Sequence, residues 1–179
     1  GVPAYFIRLA GCDVGCHWCD VKESWTASAS QLMDIAEVVA LAKDSGAPVA
    51  VITGGEPTIY DLGPLTRSLK EAGLRTHIET SGAHPFSGEF DWVTLSPKKY
   101  KPAREEYYAV TDELKVVIYN NHDLKWAEGH ADQCDPARTL FYLQPEWSRH
   151  ERVQQIIDYI MAHPRWRLSL QTHKFLNIP

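Results

Sequence analysis

Three cysteines, Cys12, Cys16 and Cys19, fall within eight residues of one another, and the fourth, Cys134, stands far from them. A Cys12-x3-Cys16-x2-Cys19 loop offers three thiolates in one place. Three thiolates suffice for three corners of a cubane 4Fe-4S cluster, which leaves the fourth iron open to a small molecule. Electron-transfer clusters ordinarily take four cysteines, so a set of three points to an iron that does chemistry. Gly11 and Gly15 suit a tight loop around such a group. Other readings stand beside this one. Cys16-His17-Trp18-Cys19 matches a C-x-x-C redox pair. The three cysteines and His17 make a four-ligand zinc set, although His17, next to Cys16, reaches the same ion awkwardly. The thiols are also of a type often buried for packing alone. Cys134 reads as a free structural thiol.

A second motif, Gly54-Gly55-Glu56-Pro57, joins exposed carbonyls to a carboxylate. Both accept hydrogen bonds from an ammonium group. By itself the motif is equally a turn with a solvated Glu. Its meaning depends on its place, one βα unit after the cysteine loop.

The elements that must position these residues alternate. Apolar strand-like runs are expected at 4–9, 49–53, 75–79, 92–95, 114–119, 140–143 and 166–170. Helices are expected at 31–43, 62–72, 122–132 and 149–163, with a short one at 105–110. The first has Leu32, Ile35, Ala36, Val39 and Ala42 at helical spacing, with Ser30 to cap it and Gly46 to end it. The run 49–53 is continuously apolar, as in a strand buried on both faces. Strand and helix in repetition predict parallel βα units. In such folds the carboxyl ends of the strands open on one face, where active sites sit. The cysteine loop, Gly54-Gly55-Glu56-Pro57, Thr80-Ser81-Gly82, Ser96-Pro97-Lys98-Lys99 and Gln144-Pro145-Glu146 all follow strands.

Length and composition bound the fold. The chain has 179 residues, 44% of them hydrophobic and 23% charged, with 18 Lys+Arg against 23 Asp+Glu. That suits one domain across residues 1–179, short of the ~250 residues of a complete eightfold barrel. The expected class is α/β, an incomplete TIM-like βα barrel of about six parallel strands. A net charge of −5 gives no reason to expect a nucleic-acid partner. No run approaches the ~20 apolar residues of a membrane span. No secretory signal is visible. Clustered thiols in a well-cored chain suggest a reducing, cytoplasmic compartment.

The cysteine spacing resembles that of the radical S-adenosylmethionine (SAM) superfamily, and the likeness extends along the chain. Ala4-Tyr5-Phe6-Ile7-Arg8-Leu9-Ala10-Gly11-Cys12, Cys16-His17-Trp18-Cys19-Asp20, Thr53-Gly54-Gly55-Glu56-Pro57, Glu79-Thr80-Ser81-Gly82, Ser96-Pro97-Lys98, Glu113-Leu114-Lys115, Gln144-Pro145 and Gln171-Thr172-His173-Lys174 through Pro179 resemble the 7-carboxy-7-deazaguanine synthase family, in order. The resemblance implies a radical SAM core and a lyase of queuosine and 7-deazapurine biosynthesis. One electron from the cluster splits SAM, and the resulting 5′-deoxyadenosyl radical takes a hydrogen atom from 6-carboxy-5,6,7,8-tetrahydropterin. The ring contracts with loss of ammonia, and SAM is regenerated.

The resemblance also implies roles. Cys12, Cys16 and Cys19 ligate the cluster. Gly54, Gly55, Glu56, Ser81, Ser96, Lys98 and Gln144 bind SAM. Arg8, Thr53 and Pro179 bind the substrate, with Arg8 forked onto the pterin carboxylate. Mg2+, a one-electron donor such as flavodoxin, and a homodimer complete the set. Two departures are visible. The family has Ser or Thr two positions after the last cysteine, a Mg2+ ligand, where this chain has Val21. The family's leading Gln-Gly-Glu-Gly segment is missing ahead of Gly1-Val2-Pro3, so the native chain is expected to extend further at its N-terminus. Two rivals remain: a radical SAM activase that installs a glycyl radical in a partner, and a non-catalytic zinc or redox module.

Overall fold

The structure is a computed structural model, and it describes residues 2–177. It divides into two compact units, Gly1–Val110 and Thr111–Pro179.

The first unit carries four strands, β1 (Ala4–Leu9), β2 (Val49–Gly54), β3 (Arg75–Thr80) and β4 (Trp92–Leu95). Each pairs in parallel with the next. Strand order follows chain order, the winding of a βα barrel and not of a doubly wound sheet, whose order reverses at a switch point. Two helices make the crossovers, α1 (Ile35–Asp44) and α2 (Gly63–Glu71). Between them and the sheet lies a core of Ile7, Ala42, Ala50, Ile52, Leu62, Leu65, Leu69, Leu74, Ile78 and Val93. As its unbroken apolar run predicts, β2 is buried along Val49–Ile52.

Strand alternation sends every second residue to the other face. Ile7, Ile52, Ile78 and Val93 join the helix-side core, so Arg8, Thr53, Glu79 and Thr94 point away from it. The register aligns Arg8 with Thr53 and Glu79 with Thr94, and Ile52 with Ile78. Those four polar residues therefore form one rung across four strands.

Helix α1 differs from expectation. Ser28, not Ser30, makes the cap, and it closes a separate 3-10 turn, Ala29–Gln31, by a reciprocal bond with Gln31. The chain is extended at Leu32 and Asp34 before α1 begins. Leu32 is consequently 84% exposed, and Val38, Val39 and Ala42 carry the packing.

The second unit holds β5 (Glu113–Ile118), α3 (His122–Ala131), β6 (Leu140–Pro145), α4 (Val153–Ala162), β7 (Trp166–Leu168) and α5 (Thr172–Leu176). Its three strands are again parallel and sequential. Glu128 ties three elements together. It accepts from Trp166 Nε1 at 2.7 Å and Tyr159 O–H at 2.5 Å, and it pairs with Arg165. The last helix, α5, was not anticipated: its five residues are too few to show a period. No helix among the described residues is long and apolar enough to cross a membrane.

Candidate active site

The cysteine loop leaves β1 and is stitched to the loop after β2. Gly55 N–H donates to Leu9 O at 2.9 Å, and Glu56 N–H to Gly11 O at 2.9 Å. The approach is so close that neither glycine tolerates a side chain. A Cβ on Gly54 would lie 2.0 Å from Leu9 O, and its φ of +147° is itself unfavourable for other residues. A Cβ on Gly55 would lie 2.3 Å from Gly11 O and 2.8 Å from Cys12 Cβ. The two glycines are thus what lets the second motif sit directly against the first cysteine.

All four cysteines are free. Cys16 packs with Val14 and Ala83, and Cys12, Trp18 and Cys19 close around them. Trp25 Nε1–H points at Cys19 Sγ at 3.3 Å. Burial pushes the Cys16 thiol up to about 11; Lys98 pulls it back, and Cys19 and Cys12 push it further up. The Cys16 thiol therefore resists ionisation until a metal supplies positive charge.

Three neighbouring thiols, with Trp18 and Trp25 against them, fit a cubane by the chemistry of the donors. Ligands of a cubane bind three different irons, so their sulfurs stand farther apart than ligands of a single metal. Among the described residues, no three His, Cys, Asp or Glu side chains close around one ion position. His17 Nδ1 is instead bonded to the Tyr100 hydroxyl.

Glu56 is 2% exposed, and its carboxylate is fully occupied. Oε1 accepts from Thr58 N–H at 3.1 Å, Thr58 O–H at 2.6 Å and Thr80 O–H at 2.5 Å. Oε2 accepts from Ser81 N–H at 2.8 Å and Ser81 O–H at 2.5 Å. The buried Tyr107 hydroxyl, raised to about 12 by burial, borders the same threonines. Glu56 therefore braces the ends of β2 and β3. Its side chain has no lone pair left over, and its backbone is bonded too, N–H to Gly11 O at 2.9 Å and carbonyl from Ile59 N–H at 3.3 Å. Ser81, whose hydroxyl proton goes to Glu56, keeps only acceptor capacity.

After β4, Ser96 N–H donates to Thr80 O at 2.8 Å. Lys98 Nζ donates to Ser96 O at 2.5 Å and Ser96 Oγ at 2.6 Å, and it lies over the Trp18 ring at 5.8 Å. Ser96 and Lys98 are therefore one rigid pair beside the cysteine loop. Asp13, inside that loop, meets His84 Nε2 at 2.9 Å and Lys101 Nζ at 2.6 Å. Lys101 and His84 hold its carboxyl below the usual range.

Of the remaining sequence-predicted residues, Arg8 is exposed and shares its rung with the half-buried Thr53. Glu79 stands on that rung too. Sequence alone does not single it out, because only the strand register reveals its level with Arg8. Gln144 is the penultimate residue of β6 in the second unit, where its Oε1 accepts from Ser169 O–H at 3.4 Å. Pro179 lies outside the described residues.

Comparison with known proteins shows the family. The sequence model of the Radical SAM superfamily matches residues 6–117, which span the cysteine loop through β5. The 7-carboxy-7-deazaguanine synthase of Flavobacterium psychrophilum is 51% identical over 180 residues, covering 100% of this chain and 85% of that protein. The synthase of Synechocystis sp. is 48% identical, covering 99% and 85%. The crystal structure of QueE from Escherichia coli superposes with a TM-score of 0.83 at 32% identity, over 96% of this chain and 86% of that one. The fold is thus the α/β partial barrel of the radical SAM core, and the family's cofactors are a 4Fe-4S cluster and SAM. The chain belongs to the 7-carboxy-7-deazaguanine synthase family of the radical SAM superfamily.

Proposed function

We propose that this chain converts 6-carboxy-5,6,7,8-tetrahydropterin into 7-carboxy-7-deazaguanine with loss of ammonia, acting as one catalytic domain over residues 1–179. The observation that carries the reading is the juxtaposition on β1 and β2. Arg8 and Thr53 share a rung, and the next residues along those strands lead into the cysteine loop and the Gly54-Gly55 turn. Thr53 adjoins the Gly54-Gly55 turn and Arg8 lies four residues before Cys12, which supports a substrate site beside a radical-generating one.

Cys12, Cys16 and Cys19 would hold the cluster. When bound, the cluster and SAM together supply one electron and a carbon radical that removes a substrate hydrogen atom. The protein's part is placement. The backbone at Gly54, Gly55 and Glu56 faces the SAM ammonium, and Ser81, Ser96 and Lys98 line the same site. Arg8 forks onto the substrate carboxylate, where a guanidinium gives two parallel charge-assisted bonds. Glu79, level with it, offers an acceptor to the N–H donors of the aminopyrimidine edge. Trp18 and Trp25 cover the cysteines and keep water and oxygen off them.

The test is incubation of reduced, reconstituted protein with SAM and the carboxytetrahydropterin, followed by mass detection of the deazaguanine acid. Formation of 5′-deoxyadenosine without that acid would refute the substrate assignment and leave the radical chemistry standing.

Mg2+ is part of the proposal, and its protein ligands must differ from the family pattern. Val21 has no side-chain oxygen, and its carbonyl already accepts from Ser24 N–H at 2.9 Å and Ser24 O–H at 2.7 Å. Asp20 and water are left to serve the ion, and Mg2+ keeps several waters readily. Val21→Thr is expected to strengthen stimulation of turnover by Mg2+; an unchanged titration curve would count against the missing-ligand explanation. We further propose a cytoplasmic homodimer supplied by a flavodoxin-type donor. The clustered thiols support a reducing compartment, and the family resemblance supports the rest.

A further inference from the structure

The segment after β4 does more than present Ser96 and Lys98. Residues 98 and 101 form an antiparallel bridge, so the segment turns tightly on itself. From that turn three side chains reach the cysteine loop. Lys101 reaches Asp13, Tyr100 reaches His17, and Lys98 lies over Trp18. Asp13 belongs to the first spacer of the motif, between Cys12 and Cys16. His17 and Trp18 make up the second, between Cys16 and Cys19. One strap therefore grips both spacers. At Asp13 the grip is threefold, because His84, from the loop after β3, lies 3.2 Å from Lys101 Nζ and 2.9 Å from Asp13.

A cluster with only three protein ligands depends on loop geometry more than one with four. Within the loop itself Cys19 N–H donates to Cys16 O at 3.1 Å, and Trp25 Nε1–H points at Cys19 Sγ, so much of the remaining hold must come from outside it. Partners that orient ligands typically change metal affinity 10–100-fold when removed. We propose that the Asp13–His84–Lys101 ion cluster is the fastening of a strap that holds the three cysteines in liganding position and so governs how tightly the 4Fe-4S cluster is retained. Asp13 and Lys101 are positioning residues in this assignment. It rests on the reading of Cys12, Cys16 and Cys19 as cluster ligands.

The experiment uses the anaerobically reconstituted protein and measures the rate of iron loss to a ferrous chelator, without SAM. Asp13→Lys and Lys101→Asp are each expected to load about four irons but to release them about tenfold faster. The charge-exchanged double variant, Asp13→Lys with Lys101→Asp, should return to within about threefold of wild type, and so should Lys101→Arg. A release rate unchanged in both single variants overturns the proposal. So does a double variant no better than either single, since that is what loss of unrelated packing would give. A single variant too unstable to load is judged by the double, whose recovery of loading supports the ion cluster and whose failure refutes it. If wild type itself takes up no iron, the ligand reading falls and this one with it.

Discussion

Cys16→Ala is expected to reduce bound iron from about four per chain to background, and to abolish reductive cleavage of SAM, whereas Cys134→Ala leaves both at the wild-type level. The two residues make an unusually clean pair. Both are buried, and burial pushes both thiols up to about 11. By exposure and acidity alone they are indistinguishable. What separates them is company. Cys16 feels Cys12 and Cys19 and sits on the loop between β1 and α1, stitched to the Gly54-Gly55 turn. Cys134 lies just past α3, its thiol directed at His130 O at 3.6 Å. It behaves as a small apolar residue, and its truncation should cost only about 1 kcal/mol of stability. Iron analysis, the visible absorption of the reconstituted protein and 5′-deoxyadenosine yield read the outcome. Equal loss of iron in both variants would contradict the assignment of Cys134 as a structural thiol.

Much of this site was legible before any coordinates, and the reason is distance along the chain. The cysteine spacing, the Gly-Gly turn and the positions of strand ends are all local patterns. Local patterns survive in a sequence. The rung of Arg8, Thr53 and Glu79 was only half legible, since it requires the pairing register of three strands. The strap was not legible at all. Asp13 meets partners 71 and 88 residues away, and nothing in a stretch of lysines announces which one will turn inward. The boundary difference at α1 has a different origin. Leu32 fits the apolar period of α1, but the Ser28–Gln31 cap diverts the backbone just before it. Short-range hydrogen bonding overrode the period there.

Glu56→Ala is the second large effect expected, and it distinguishes two uses of a motif carboxylate. Read from sequence, Glu56 is an acceptor for the SAM ammonium. In the structure five donors from Thr58, Thr80 and Ser81 converge on it in a buried site. Removing the carboxylate strands those donors away from water, and a broken buried charge network of this kind costs about 3–5 kcal/mol. The denaturation midpoint should fall accordingly. Glu56→Gln keeps the shape but turns an NH2 toward hydroxyl and amide donors, so about half that loss is expected. SAM affinity should drop as well, because the ends of β2 and β3 lose their brace and the neighbouring Gly54 and Gly55 lose their placement. Misplacement of about 1 Å is enough to cost ~100-fold in rate. The discriminating measurement compares SAM with an analogue lacking the amino group. If Glu56 only braces the turn, the variant weakens both ligands by the same factor. If its side chain grips the ammonium, the variant weakens SAM selectively and leaves the denaturation midpoint where it was. The saturation of both carboxylate oxygens favours the first outcome, since a sixth donor would have to displace one of the five already in place.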